Sequence, residues 1–416
     1  MARVDVAVLG AGIVGTSVAL HLVKRGLSVT LIDRKPPGEE TSFGNAGIIE
    51  GNTIFPPSFP TDPISLLRIA LKLAPEASYH ASFLFTAMPW LLAFRRSARP
   101  EWLVENARLI RPLFAAAVPE HEKLMEESDG TRYLRKTGWL KVYRREKTFD
   151  GLARERDMAK EFGMRLDVLD IAQARALEPS LNPVFTRGVF WPQAASISSP
   201  IGLTRAYVSR LEALGGVLLH GDARTLHRNG ERWRIDTEEG ALDADQVVVT
   251  LGPWAPDLLA PLGIKLPLGV KRGYHRHFRA QGNASLSRPV LDADGGYCIT
   301  PMEQGLRITT GAEIAPRDAP PTPVQFERVM PNARELFPLD ERTDDKTWMG
   351  SRPCFPDSRP VIDRAPGQKG LWLAFGHAHW GLTLGPATGR LLADMMTGAT
   401  PFCDPAPYRA TRFNRG

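Results

Sequence analysis

Over its first thirty residues the chain changes its hydrophobic period twice. Val4–Leu9 is a short apolar, β-branched run of the kind that makes a buried strand. Beyond Gly10-Ala11-Gly12-Ile13-Val14-Gly15, the residues Val14, Val18 and Leu22 recur at i, i+4 and i+8, one face of a helix. Lys24 and Arg25 suit its last turn, and Gly26 is a natural stop. Leu27–Ile32 reads as a second strand, ending at Asp33. The pattern predicts strand, helix, strand, the opening unit of a parallel sheet.

Residues 56 to about 135 are rich in Leu, Ala, Arg, Trp and Phe, with prolines as punctuation, and predict several helices. Thr137–Tyr143 reads as a strand and Phe149–Phe162 as an amphipathic helix. Ser199 before Pro200 pairs an N-cap with a first-turn proline, so a helix is expected over Ile201–Leu214, stopping at Gly215-Gly216. Val217–His220 is a strand; Arg232–Thr237, a Glu238-Glu239-Gly240 turn and Gln246–Leu251 suggest a small meander. Residues 266–315 alternate apolar and polar and hold several strands. Leu371–Phe375 is another buried strand, running through Gly376-His377-Ala378-His379-Trp380-Gly381 into a helix from Thr383 to Met396. The fold class is α/β with α+β character. Strand–helix units at both ends look nucleotide-facing, so one domain is expected from both ends of the chain, with another inserted between them.

Composition narrows the class. The 416 residues are 43% hydrophobic and 24% charged, ordinary for a folded protein of two or three domains. The net charge of +6 is mild for this length and does not make the concentrated stripe that nucleic acid needs, so no nucleic-acid partner is expected. Cys298, Cys354 and Cys403 are an odd, widely spaced set with no CxxC. They exclude a disulfide framework, argue against a zinc or iron–sulfur site, and fit a reducing compartment. The apolar run near the N-terminus is too short for an export signal, and the uncharged stretch Ala77–Phe94 holds His80, Ser82, Thr86 and Pro89, a poor membrane span.

The glycine motif has a mechanism. Gly10 permits a tight turn, Gly12 lets the backbone approach a pyrophosphate, and Gly15 lets helix and strand pack closely. Asp33, eighteen residues after Gly15, can accept bonds from ribose hydroxyls. This leaves NAD and FAD both open. Thr41-Ser42-Phe43-Gly44-Asn45-Ala46-Gly47 is a small polar loop where backbone can approach a flat ring. A helix N-terminus in Thr383-Leu384-Gly385-Pro386-Ala387-Thr388-Gly389 can stabilise negative charge on a reduced flavin.

Together with Val248-Val249-Thr250-Leu251-Gly252-Pro253-Trp254, Gly350-Ser351-Arg352-Pro353 and Pro356-Asp357, these stretches resemble the D-amino-acid oxidase superfamily of FAD-dependent oxidoreductases, and within it the bacterial D-amino acid dehydrogenases. The resemblance spans nearly the whole chain in the family's order, although residues 56–135 and 261–345 share only its general character. It implies a Rossmann-type FAD-binding domain of segments 1-55, 193-260 and 346-416. A discontinuous substrate domain, 56-192 and 261-345, would be built on an antiparallel sheet with helices.

The resemblance also implies roles at matching positions. Gly10, Gly12, Ile13, Val14, Gly15, Asp33, Arg34 and Lys35 would hold the adenosine and pyrophosphate. Thr41, Ser42, Asn45, Ala46, Gly47 and Ile48 would line the isoalloxazine. Ala223 matches the position whose backbone meets adenine; Thr250, Gly252 and Trp254 match the loop beside the pyrophosphate; Gly381, Leu382, Thr383 and Leu384 match the loop at the flavin pyrimidine. Asp33 stands where a glutamate is more usual, which adjusts the ribose contact. No Cys or His stands where some members attach flavin, and Cys354 lies beyond that position, so the FAD is expected to be noncovalent.

The implied reaction moves a hydride from the substrate Cα to flavin N5, and the imine hydrolyses to a 2-oxo acid and ammonia, or persists if cyclic. Arg352 matches a family position that clamps the carboxylate; Arg359 is the rival, because related oxidases place their clamp seven residues later. His379, in the flavin-facing turn, and Tyr274, beside His275 and with Tyr297 as a weaker companion, are candidates for touching substrate. No acid–base pair stands out.

Arg95, Arg96, Arg99, Arg108 and Arg111 follow the uncharged stretch, opposed by Glu101 and Glu105. Such a patch suits either an anionic membrane surface, and hence electron delivery to a quinone or other carrier, or an ordinary amphipathic helix under a solvated basic face. The expected activity is an FAD-dependent D-amino acid dehydrogenase or oxidase, with D-proline or hydroxy-D-proline in view. A sarcosine or glycine oxidase is the rival enzyme. A nucleotide-binding protein that docks on RNA or membrane without turnover is the rival of another class. A cytoplasmic location is expected, with the inner face of the plasma membrane as a further site.

Overall fold

Ala2–Leu9 is a central strand: Val6 to Leu9 are wholly buried, and a parallel neighbour flanks it on each side. The structure is a computed structural model describing residues 2–51, 55, 59–60 and 62–413. Among these residues the first sheet has eight strands. Six run in the order Val217–His220, Val29–Asp33, Ala2–Leu9, Gly240–Val249, Arg232–Thr237, His227–Asn229. Leu371–Phe375 joins the last residues of Gly240–Val249, and Val361–Arg364 pairs with Leu371–Phe375. Five of the eight strands run parallel, so their carboxyl ends emerge along one edge.

The helices Ile13–Val23, Pro200–Ala213 and Gly381–Thr397 share a core with one face of this sheet, including Val6, Val8, Leu31, Leu203 and Leu391. The Ser199 side chain caps the second helix by accepting from Gly202 N, and Pro200 opens its first turn, as expected. The C-terminal helix lies directly on the first helix at Gly389, where a Cβ would come within 2.7 Å of the Ser17 backbone. Trp233, Phe355 and Phe375 belong to a separate core on the other face.

A second sheet of eleven strands centres on the long strand Gly269–Ala280. That strand pairs antiparallel with Trp348–Cys354 and with Gly305–Thr310. Trp139–Tyr143 and Arg187–Trp191 extend the same sheet. Trp348–Cys354 is thus a strand of the second sheet, whereas Val361–Arg364, just after it, belongs to the first. A small third sheet ties Ile48–Ile49 to Ala195–Ile197 and Leu134–Arg135.

Three local expectations change. Phe149–Phe162 is two helices, Glu146–Gly151 and Ala153–Glu161, because Leu152 leaves helical geometry at φ −104 and ψ 17. The strand expected at Gln246 starts at Gly240, which pairs with Thr237 to close a hairpin. The prolines Pro112 and Pro119 do not end a helix; both lie inside Pro100–Glu126. A helix-interior proline costs about 3 kcal/mol, but Ala107, Ile110, Phe114, Ala117 and Leu124 bury a continuous stripe that offsets it. No helix among the described residues is long and apolar enough to cross a membrane.

Candidate active site

The parallel strands fix where the site lies. Asp33 ends one strand, and Gly10, Gly221, Thr250 and Gly376 follow the ends of the others; all line one cavity of about 530 Å³. Open α/β sheets bind ligands at such carboxyl ends. Gly10 turns the chain at φ +108, and a Cβ there would lie 2.8 Å from the Thr250 carbonyl oxygen. Thr250 Oγ1 donates back to Leu9 O over 2.7 Å. Gly12, Ile13 and Val14 line the cavity at the start of the first helix, whose N-cap glycine has no side chain and whose first turn holds no acid. That end offers N–H groups and partial positive charge to an anion. Gly15 does not line the cavity; it faces the Gly10 carbonyl, 1.9 Å from where a Cβ would be.

At one end of the cavity, Asp33 Oδ2 accepts from Ala11 N at 2.7 Å and Oδ1 from Lys35 N at 3.0 Å. Burial raises the Asp33 pKa, and the two backbone bonds oppose that rise. Arg34 lies over the Trp254 ring, 5.4 Å from its centre. Lys35, Ala223, Gly252 and Trp254 line the same cavity.

The loop after the second strand is held at several points. Ser42 Oγ accepts from Ile13 N, Thr41 Oγ1 donates to Ser351 O, and Asn45 Nδ2 donates to His379 O. Thr41, Ser42, Asn45, Ala46 and Ile48 line the cavity. Gly47 does not; its N–H donates to Asn45 Oδ1 and its carbonyl accepts from Ile197 N. Beside this loop, Gly381 and Leu382 line the cavity at the start of the C-terminal helix, which has no side-chain cap from its N-cap residue and no first-turn acid. Thr383 and Leu384 lie behind them, with Thr383 Oγ1 donating to Ile48 O.

Arg352 enters the cavity from the second sheet. Its Nη1 and Nη2 donate to the carbonyls of Gly311 and Thr310, at 2.6 and 3.0 Å, and no carboxylate pairs with it among the described residues. Burial lowers its pKa. His379 also lines the cavity; burial, then Arg352 and Lys271, push its pKa down to about 3, so the imidazole is neutral. Before it, Ala378 holds φ +51, a left-handed conformation uncommon outside glycine, and its N–H donates to Pro353 O. Tyr274 borders the cavity, but its hydroxyl donates to Glu313 and accepts from Arg272, residues outside the lining. Tyr297 lines the cavity with its hydroxyl bonded to Asp292. The ring of His275 stacks on Trp348 and takes no part in the cavity wall. Arg359 is not in the lining either; it is paired with Asp357, which also binds Arg412.

Two residues escaped the sequence reading. Lys271 lines the cavity beside Arg352. Arg307, outside the lining, donates to the carbonyls of Phe43 and Asn45 and so holds the loop from behind. Alternation put both on strands, yet their importance depends on partners distant in sequence.

A crevice at the carboxyl ends of parallel strands, with two helix N-termini and two cations in its wall, is the geometry of a dinucleotide-binding site. Residues 5–395 match the FAD dependent oxidoreductase family, and the chain belongs to it. It is 31% identical to a D-amino-acid oxidase of Bradyrhizobium diazoefficiens over 98% of each chain. It is 30% identical to a D-amino acid dehydrogenase of Cereibacter sphaeroides over 98% of this chain and 95% of that one. The crystal structure of glycine oxidase from Geobacillus kaustophilus, 24% identical, has the same fold, with a TM-score of 0.77 over 99% of both chains. The chain is an FAD-dependent enzyme. Its residues fit the cofactor: the glycine turn leaves no room for a side chain at Gly10, and neither helix start at the cavity holds an acid that would repel anionic groups.

Proposed function

We propose that the enzyme oxidises a D-amino acid to the corresponding imine, which hydrolyses to a 2-oxo acid and ammonia. The observation that carries this reading is Arg352, a half-buried guanidinium in the cavity wall whose acceptors among the described residues are backbone carbonyls. A planar guanidinium in a cavity wall is a matched partner for a carboxylate. Arg359 lies outside the cavity wall and is tied to Asp357, so Arg352 is the clamp.

In this reading FAD binds noncovalently, with Gly12, Ile13 and Val14 at the pyrophosphate, and Asp33 and Ala223 towards the adenosine. The loop from Thr41 to Ile48, with Gly381 and Leu382, takes the ring system. When bound, the flavin supplies the two-electron acceptor. The protein orients the α-carboxylate on Arg352 and excludes water. His379, neutral and half-buried, adds no second charge at the amine, which binds unprotonated without a dedicated base. Segments 1-55, 193-260 and 346-416 make the FAD domain in this proposal, lending the strand Trp348–Cys354 to the substrate sheet; 56-192 and 261-345 make the rest of the substrate domain.

The electron acceptor is a quinone or carrier met at an anionic membrane on the cytoplasmic side. Two helical segments support this. Ile64, Leu67 and Leu71 recur at helical spacing and are exposed, as are Phe85, Met88 and Leu92; Phe85 is 92% exposed. Lys72, Arg95, Arg96 and Arg99 are exposed beside them. Outward apolar stripes with flanking cations are the composition of an interfacial helix.

Anaerobic mixing of the purified holoenzyme with D-alanine, D-proline, D-aspartate and D-glutamate tests the reading. Loss of the visible flavin band with any of them is the expected result. Bleaching by glycine or sarcosine alone assigns the cavity to a different amine.

A further inference from the structure

Lys271 is a half-buried cation with no role in the proposal so far. It stands directly opposite Arg352 in the register between Gly269–Ala280 and Trp348–Cys354, so both side chains leave the same face of the sheet. Both line the cavity. Gly273 keeps that face open, since a Cβ there would lie 2.3 Å from Arg352 Nη2. The Lys271 ammonium lies 3.7 Å from the centre of the Phe94 ring and 5.4 Å from that of Trp90. Those faces attract a cation but carry no formal charge.

No carboxylate among the described residues forms an ion pair with Lys271 or Arg352, and burial lowers the pKa of both. Of the acids in the cavity wall, Asp257 is paired with Arg317, Asp292 with Arg144, Asp222 with Arg224 and Glu40 with Lys35; Glu50 and Glu76 line the wall too, and no ion pair links Glu76 to either cation. His379, near both cations, is neutral. This end of the cavity therefore holds two positive charges and a neutral ring. One α-carboxylate balances only one of the charges, and a buried charge without a partner is costly.

We infer that Lys271 binds a second acidic group, and that the substrate is a dicarboxylic D-amino acid of the aspartate or glutamate class. Its α-carboxylate lies on Arg352 and its side-chain carboxylate on Lys271. The inference rests on the proposed D-amino acid reading for the amine, but the second anion site is testable without turnover.

Calorimetric titration of the oxidised holoenzyme compares succinate with butyrate, and glutarate with pentanoate, pairs of equal chain length. Each dicarboxylate is expected to bind at least roughly 10-fold more tightly than its partner, and Lys271→Met abolishes that advantage. In turnover, the kcat/KM ratio of D-glutamate to D-alanine falls by a similar factor in Lys271→Met. Equal affinities within each pair in the unsubstituted enzyme overturn the inference whether or not the variant folds. So does an advantage that persists in a folded Lys271→Met. If no D-amino acid bleaches the flavin yet the Lys271-dependent preference is measured, the second site stands and the D-amino acid reading falls. If D-alanine bleaches it and succinate binds no better than butyrate, the reverse holds.

Discussion

Arg307 donates to the carbonyl oxygen of Asn45 at 2.7 Å, joining the second sheet to the loop that borders the cavity. The same Nη1 donates to Phe43 O at 2.7 Å, and Nε donates to His277 Nε2 at 3.0 Å. For that last bond His277 must be neutral at Nε2, with its proton on Nδ1, where Asp344 accepts it. Asn45 in turn donates to His379 O and accepts from Gly47 N. A single buried guanidinium thus holds the loop in position from behind.

Arg307→Met should therefore loosen the FAD site without touching the cofactor. Bonds from a charged donor contribute about 1.5–3 kcal/mol each, so FAD affinity should fall by roughly 10- to 100-fold. Fluorescence titration of the apoprotein with FAD measures it, and unchanged affinity in a folded variant excludes the role.

Arg352 and Arg359 should separate cleanly. Arg352→Ala removes the proposed clamp and should raise KM by roughly 30-fold or more while flavin stays bound. Arg359→Ala breaks the Asp357–Arg412 cluster and should lower the melting temperature with little change in KM. Loss of FAD from Arg352→Ala would assign that residue to the cofactor or the interface between the sheets.

Acid should unfold this protein through its histidines. His21, His377 and His379 are held down to about 3 and His121 to about 4, chiefly by burial. Their folded values lie below the unfolded value near 6.5, so the unfolded chain takes up protons first. The stability they contribute is full above about pH 6.5 and is lost as pH falls towards the folded values. Each loses about 1.4 kcal/mol per unit below 6.5. Melting temperatures should drop steeply between pH 7 and 5.5; a flat profile contradicts this.

The apolar stripes predict lipid binding. Co-sedimentation with vesicles rich in anionic lipid should be strong at low salt, weak with neutral lipid, and reduced several-fold by Leu67→Glu with Phe85→Glu. Binding indifferent to both charge and substitution removes the membrane proposal.

The first strand, helix and strand were legible because their signals are local: apolar runs, one helical stripe and a glycine turn. Leu371–Phe375 has the residues the pattern assigned, for the same reason. Pro112 and Pro119 misled because burial against distant elements outweighs a local breaker. Asp33, Ser42, Asn45 and Gly381 were readable from motif order and line the cavity. Lys271 was not, since its meaning arises only when Arg352 is paired across from it. Tyr274 looked available in sequence, but Glu313 and Arg272, brought together by the sheet, hold its hydroxyl.

The most direct test of the account is rapid anaerobic mixing of the holoenzyme with matched enantiomers of alanine, proline, aspartate and glutamate, following the flavin band near its visible maximum. The account predicts that D-enantiomers bleach it, with D-aspartate or D-glutamate fastest, and that their L-partners do not. Bleaching by the L-forms, or by no amino acid of either hand, would contradict it.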